Sequence, residues 1–345
     1  MSTEAAARKF QRGDEEKIVE LLRSSFPDWE RRTNSLDYWR WKYLDGPLGS
    51  AIGVVVSGDK AIGVWHELRF DIMFGSEKLR CHLGDDTATH PDYRGAKVYD
   101  KLDTLFKNWH LEEAVKYLYV ITTNPIIIKW ERRRGVPEFS HIITHEIRMR
   151  NANTHLKAKS VQNAWLIALG FSALKLLNRI TNALTPSIRP KSHFDVEPIS
   201  SFDDEVNDFW DQVKGNYSYI LERRKEYLNW RFCDPRGGDY HVLQAKEDGR
   251  VLGYVATEVR ESQGYSEGYI LDLLALPDRD DVADELFKSA CKYLDERGVN
   301  AVHYRVVKGT PTNRSRLEAA SHGLFRQTTC TSSSPSRTPL LRVRC

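Results

Sequence analysis

Apolar residues fall at two spacings along the chain, and the two alternate in an order that is then repeated. Spacings of three and four put Val98, Leu102, Leu105, Phe106 and Trp109 on one helical face, and Val282, Leu286, Phe287, Ala290 and Leu294 on another. Shorter β-branched and aromatic runs between them predict strands. Ile52–Val56 and Ala61–Trp65 flank Ser57-Gly58-Asp59-Lys60, and His241–Ala245 and Val251–Ala256 flank Glu247-Asp248-Gly249-Arg250. Gly-Asp and Asp-Gly supply the positive φ that a tight hairpin turn requires. Each hairpin's second strand carries a glycine at the same place, Gly63 and Gly253.

The features around these hairpins also recur. Residues 37–45 and 226–234, 189 positions apart, share Tyr38/Tyr227, Trp41/Trp230 and Asp45/Asp234, with like-for-like changes at Lys42/Arg231 and Tyr43/Phe232. Leu83–Asp92 and Ile270–Asp278 each run from a strand into a Pro-Asp turn, which places Asp86 on Asp272. The amphipathic helix follows, then a strand run (Tyr117–Thr123, Ala301–Val307), then a short helix closed by Gly135 or Gly323. Seven features in one order mark an internal duplication. Helix, Trp segment, hairpin, long strand, loop, helix, strand, helix is an α/β (α+β layered) domain, a mixed twisted sheet flanked by helices, made twice.

The expected boundaries are 1–150 and 194–345, joined by a helical linker over 151–193. Within the linker, Ala164–Leu184 has a broad apolar side and is ended by Pro186 and Pro190. It reads as a strut between the copies. With Lys157, Lys159, Lys175 and Arg179 beside it, it also reads as a helix able to lie on a membrane surface.

Composition narrows the class. A hydrophobic share of 41% suits a globular chain, and 345 residues suit two domains. With 51 Lys+Arg against 48 Asp+Glu, the net +3 provides no general field for nucleic acid. Five widely spaced cysteines without a CxxC pair predict no disulfide framework and no metal knuckle, and fit a cytoplasmic protein. No apolar run follows the N-terminal charges and none is long enough to span a bilayer, so neither a secretory signal nor a membrane span is expected.

Chemistry is expected where a strand hands over to a helix whose free N–H groups can hold an anion. In the first copy that loop is Pro91-Asp92-Tyr93-Arg94-Gly95-Ala96-Lys97-Val98-Tyr99, with a permissive Gly95 and two cations against the helix dipole. In the second copy, Pro277–Glu285 has no glycine and five acids, which would repel a phosphate. If one copy takes a phosphorylated ligand, it is the first.

The run Thr89-His90-Pro91-Asp92-Tyr93-Arg94-Gly95, after a strand and before an amphipathic helix, resembles motif A of the GNAT superfamily of acyl-CoA-dependent N-acyltransferases. The Tyr-x-x-Trp-Lys/Arg-Tyr/Phe segment is similar to a subgroup built as two fused GNAT units, over residues 8–150 and 194–325. The resemblance implies an acetyl-CoA site. It implies pantetheine contacts from Thr87, Ala88 and Thr89, a diphosphate held by Arg94, Gly95, Ala96, Lys97, Val98 and Tyr99, and a polar cofactor-facing residue at Asn124. The chain departs from the pattern at Lys97, where glycine is usual, and at Tyr99, where glycine or alanine is usual. Where the family often places a tyrosine general acid, this chain has Trp130 and Glu131, and an indole N–H cannot serve.

The implied reaction is direct acetyl transfer to an amine of a small molecule or sugar, with a carboxylate accepting the proton. Asp86, then Asp85, are the candidate bases; strand alternation lets at most one of them face the cleft. His82 and His90 are alternatives, read otherwise as surface or loop histidines. Backbone N–H groups around Thr87 are candidate donors to the thioester oxygen. Two other readings compete. One is a non-catalytic acyl-CoA sensor or scaffold. The other is aminoacyl transfer from tRNA, suggested by Lys129 and Arg132–Arg134 and opposed by the near-neutral charge.

Overall fold

The computed structural model describes residues 5–26, 35–95, 97–120, 122, 124–133, 135, 143–149, 193–262, 265–307 and 325–329. The linker helix, Gly323, the tail beyond Thr329 and the side chain of Trp130 therefore lie outside the described residues, as does Ala96. The chain divides into two compact units.

The leading unit is built on one mixed sheet. Strands β1 (Ala7–Lys9), β2 (Ser50–Ser57), β3 (Lys60–Phe74) and β4 (Glu77–Thr89) are antiparallel neighbours, and β5 (Tyr117–Val120) runs parallel to β4. The predicted hairpin forms with Gly58 at φ 58°, and a second turn at Gly75, also φ 58°, joins β3 to β4. A short strand from later in the chain, β8 (Tyr219–Leu221), pairs with the far end of β3.

Helices cover both faces of this sheet. Helix α1 (Glu15–Ser25) and the Trp segment, which forms α2 (Leu36–Tyr43), lie on one side. Ser35 starts α2 by accepting the Tyr38 amide at 3.0 Å. Their core includes Ile18, Leu22, Trp39, Val54, Val64 and Ala88. On the other face α3 (Val98–Glu112) packs Val98, Leu102 and Phe106 onto Ala51, Val55, Ile62 and Trp65. Gly63 permits this approach, since a Cβ there would sit 2.2 Å from Val98. Helix α4 (Pro125–Arg133) follows β5, and Gly135 beyond it takes φ 68°.

The trailing unit repeats the plan in a seven-stranded sheet of order β13-β6-β12-β11-β10-β9-β7. Its strands are β6 (Ile143–Met149), β7 (Asp195–Ile199), β9 (Tyr240–Glu247), β10 (Arg250–Ser262), β11 (Tyr265–Ala275), β12 (Ala301–Val307) and β13 (Phe325–Thr329). Asp248 and Gly249, at φ 48° and 79°, make the second predicted hairpin turn. Helices α5 (Glu205–Val213), α6 (Lys225–Leu228) and α7 (Asp280–Glu296) complete it. The second Trp segment differs from the first: after α6 it widens into a π-turn over Asn229–Cys233.

Two pairings cut across the expected boundaries. Ile143–Met149, ahead of residue 150, pairs with β12 in the second sheet, while Tyr219–Leu221, beyond residue 194, belongs to the first. Phe325–Thr329 pair with β6 as the edge strand of the second sheet.

Candidate functional site

The expected anion loop begins where β4 ends. Pro91–Tyr93 form one tight turn, capped by the His90 imidazole, which accepts the Asp92 amide at 3.3 Å. Gly95 and Lys97 then take φ 92° and 55°, and α3 starts at Val98. The residue that replaces the usual glycine thus occupies the left-handed backbone that glycine favours, at a cost of about 1–2 kcal/mol for an L-residue. The Lys97 side chain makes no capping hydrogen bond to α3, and the first N–H groups of a helix are the ones that can hold an anion. Thr89, Arg94, Gly95 and Lys97 help line an open pocket of about 300 Å3 here. Val98 is buried and Tyr99 stacks on Trp65 at 5.2 Å, so both side chains serve helix–sheet packing and leave their backbone to the loop.

Further back on β4 the structure corrects the alternation argument for Asp85 and Asp86. The β3–β4 register shifts between the pairs Val64/Ala88 and His66/Asp85, and Asp86 takes φ 34°. Asp86 and Thr87 together face Trp65, a β-bulge that cancels the two-residue period. Both carboxylates consequently reach one ammonium: Lys42 Nζ lies 2.6 Å from Asp85 and 2.7 Å from Asp86. The Tyr43 hydroxyl donates to Asp86 Oδ2, and Asp85 Oδ1 accepts the Asp86 amide at 3.0 Å.

Beneath the bulge lies His66, fully buried. Trp39 Nε1–H donates to His66 Nε2 at 3.0 Å, and an indole nitrogen only donates, so Nε2 must accept. The ring proton therefore sits on Nδ1, which donates to the Asp86 carbonyl at 3.1 Å. Burial holds His66 at about 3, far below its ordinary value, outweighing the smaller lift from Asp86 and Asp85. The Tyr43 ring stacks on it at 3.9 Å. Burial also presses on Lys42, but the two carboxylates outweigh it and leave its pKa raised. Two carboxylates against one ammonium leave one negative charge in this cluster, enough to receive a proton.

The edge of β4 is also open. Its pairing with β5 covers only Cys81–Gly84, and beyond Gly84 no strand among the described residues continues on that side. Asp85–Thr89 can thus accept an extended ligand as an added strand.

The trailing unit closes the anion loop. Asp281 at the start of α7 is held by Arg279 at 2.9 and 3.0 Å, and the pocket beside Pro277–Asp280 is about 30 Å3. Asp272, the counterpart of Asp86, accepts from Arg223 Nε and the Tyr254 hydroxyl, each at 2.8 Å. Residues 6–124 match the acetyltransferase (GNAT) domain family.

The leading unit is a GNAT domain.

Solved structures extend the GNAT fold across both units. The chain superposes on a tandem GNAT protein from the clavulanic acid biosynthesis pathway with a TM-score of 0.57 at 11% identity, covering 98% of this chain and 97% of that one. Saccharomyces cerevisiae N-myristoyltransferase with bound myristoyl-CoA gives 0.57 at 10% identity, covering 100% and 84%. A conserved protein of Enterococcus faecalis V583, described as a probable N-acyltransferase, gives 0.58 at 12% identity and 88% coverage. The chain spans 65% of that protein's length. No curated protein sequence matches the chain significantly.

Within the GNAT unit the expected cofactor residues gather at one end of β4. Thr87, Ala88 and Thr89 lie on its open edge segment, Ala88 buried in the core, and Arg94, Gly95, Lys97, Val98 and Tyr99 follow directly. Asn124 is exposed at the start of α4, where its carbonyl accepts the Ile128 amide. Glu131 on α4 is buried. His82 is corrected: it is not a surface residue but a buried one, bonded to Glu67 at 2.9 Å. Trp39, Lys42, Tyr43 and His66 were not singled out as functional by the sequence. Their signal was the repeat itself, since the counterparts Leu228, Arg231, Phe232 and Ala256 lack all but the cation. Among the described residues, no helix is long and apolar enough to cross a membrane.

Proposed function

We propose that the GNAT unit transfers an acetyl group from acetyl-CoA to an amine of a small molecule or sugar. The observation that carries this reading is the left-handed start of α3 beside Arg94, Lys97 and a pocket of about 300 Å3. Thr87, Ala88 and Thr89 would pair with the pantetheine arm, and the backbone of Gly95–Tyr99 with the two cations would take the diphosphate. Asn124 would stand near the cofactor at the entry to α4. The yeast neighbour's bound myristoyl-CoA supports an acyl-CoA thioester as donor.

The transfer needs a neutral amine. Its nitrogen attacks the thioester carbonyl carbon, the C–N bond forms and the C–S bond breaks. The coenzyme thiolate takes a proton from water, and the amine's proton passes to a carboxylate. Asp85 is the better base. Asp86 has a counterpart in the closed copy, Asp272, held in the same way by a cation and a tyrosine, which marks it as part of the bulge. Asp85 has Leu271 as counterpart, so its carboxylate is specific to the open copy. Backbone N–H groups around Thr87 would polarise the thioester oxygen.

Thiol release from acetyl-CoA on an amine panel tests the reading, alongside thermal stabilisation by acetyl-CoA. Asp85→Asn should lower kcat by about 10²–10⁴-fold with little change in KM for acetyl-CoA. Stabilisation without turnover on any amine would favour an acyl-CoA sensor, and neither effect would leave a scaffold.

A further inference from the structure

Glu67, His82 and His110 meet inside the GNAT unit, on the face of β3 opposite His66. Glu67 comes from β3, His82 from β4 and His110 from the last turn of α3. Glu67 has no exposed surface, and both histidines are buried. Glu67 Oε2 accepts from His82 Nδ1 at 2.9 Å and from His110 Nε2 at 2.7 Å. Its other oxygen, Oε1, is buried without a hydrogen-bond partner. The three ligating atoms lie within 4.8 Å of one another.

The fold does not require ionisable groups here, as its own duplicate shows. Gly63/Gly253, Asp86/Asp272 and Val98/Val282 fix the correspondence between copies. Thr257 stands where Glu67 does, four residues past the glycine; Gly268 where His82 does, four before the aspartate; Leu294 where His110 does, twelve past the valine. There the space is filled by hydrocarbon, with Leu294 so close to Gly268 that a Cβ on the glycine would lie 2.9 Å from it. A buried carboxylate with one oxygen unpartnered is costly where a leucine would serve.

We infer that Glu67, His82 and His110 form an interior binding site for a divalent transition metal, zinc foremost. Two imidazoles and a carboxylate are the donor set such ions prefer, and imidazole argues against calcium or magnesium. Ligands about 2.0–2.1 Å from zinc in a tetrahedron stand roughly 3.3 Å apart, so Oε2 would retreat by about half an ångström from each ring while the two facing nitrogens, within 4.8 Å of each other, settle to that same spacing. Binding requires the two facing nitrogens to give up their protons to the opposite ring nitrogen or to solvent. Glu67 Oε1 is placed to become a second carboxylate ligand. A cavity of about 380 Å3 that His82, Arg69 and Glu113 help to line gives an entry path. The metal would tie the end of α3 to the two central strands, a stabilising role separate from acyl transfer.

The experiment uses the full chain without a polyhistidine tag. After chelator treatment and dialysis, it is titrated with Zn2+ and with Co2+. One ion per chain, visible d–d absorption for Co2+ and a raised unfolding temperature are expected. His110→Gln, checked by circular dichroism, should bind at least 100-fold more weakly. The triple change Glu67→Thr, His82→Gly and His110→Leu, which copies the trailing unit, should fold and bind none. Zinc-edge absorption spectroscopy on the unaltered protein should show a nitrogen/oxygen shell with two imidazoles, a readout that needs no variant to fold. Failure of the unaltered chain to take up either metal would overturn the inference, as would sulfur ligation or undiminished binding in a folded His110→Gln chain.

Discussion

Lys42 joins Asp85 and Asp86, and that one ammonium decides whether two neighbouring carboxylates can share a bulge. Without it they would repel across a gap set by the backbone. Lys42→Met should therefore lower stability by about 1–3 kcal/mol in urea unfolding, while Lys42→Arg keeps most of it. A loss equal in both variants would show that shape, and not charge, matters at this position. Asp14 gives the pH counterpart, away from the chemistry. Arg8 grips it at 2.7 and 2.8 Å, and the Gln11 amide adds a third bond at 2.9 Å. The Arg8 hydrogen bonds, against opposing burial, hold its carboxyl below the usual range. The folded state thus binds that proton less readily than the unfolded chain. The resulting stability is present above the ordinary carboxylate pKa and is lost as pH falls through the folded value. Asp14→Asn should remove about 1–3 kcal/mol at neutral pH and flatten the acid limb of the stability curve, with turnover unchanged.

At the scale of elements, α3 is the part that carries the anion site, and Gly63 sets how closely it lies on β3. Gly63→Ala should push the start of α3 off the sheet. Denaturant unfolding should then show a loss of about 1–3 kcal/mol, with weaker acetyl-CoA binding in parallel. Stability lost with affinity intact would separate the loop from the packing. Much of this element plan was legible in the sequence because its signals are local. Gly58, Asp248 and Gly249 make their own turns, and the Val98 and Val282 stripes declare their buried faces. Strand partners are chosen by residues far away, so nothing near Ile143–Met149 or Tyr219–Leu221 revealed which sheet each would join. The site was legible only in outline. The anion loop stood out by glycine and charge, but the bulge at Asp86 depends on a carbonyl held by His66, 20 residues earlier. The Glu67 cluster was hidden because its members come from three elements, and His110 simply continues the stripe of Val98, Leu102 and Phe106.

For the whole chain, duplication without equivalence is the governing feature. Both copies keep the hairpin, the clamped aspartate and the helix on glycine, and they differ where a ligand would enter. The leading helix starts beside Arg94, Lys97 and about 300 Å3 of space, whereas the trailing one carries Asp280 and Asp281 in its first turn beside about 30 Å3. Like charge at Asp280 and Asp281 would repel a diphosphate that Arg94 and Lys97 attract. Calorimetric titration of the full chain with acetyl-CoA, repeated with Arg94→Glu/Lys97→Glu and with Asp280→Asn/Asp281→Asn, is the most direct test. One molecule per chain is expected, abolished by the first pair of changes and untouched by the second. Two molecules per chain, or binding that depends on the trailing pair and ignores the leading one, would contradict the account.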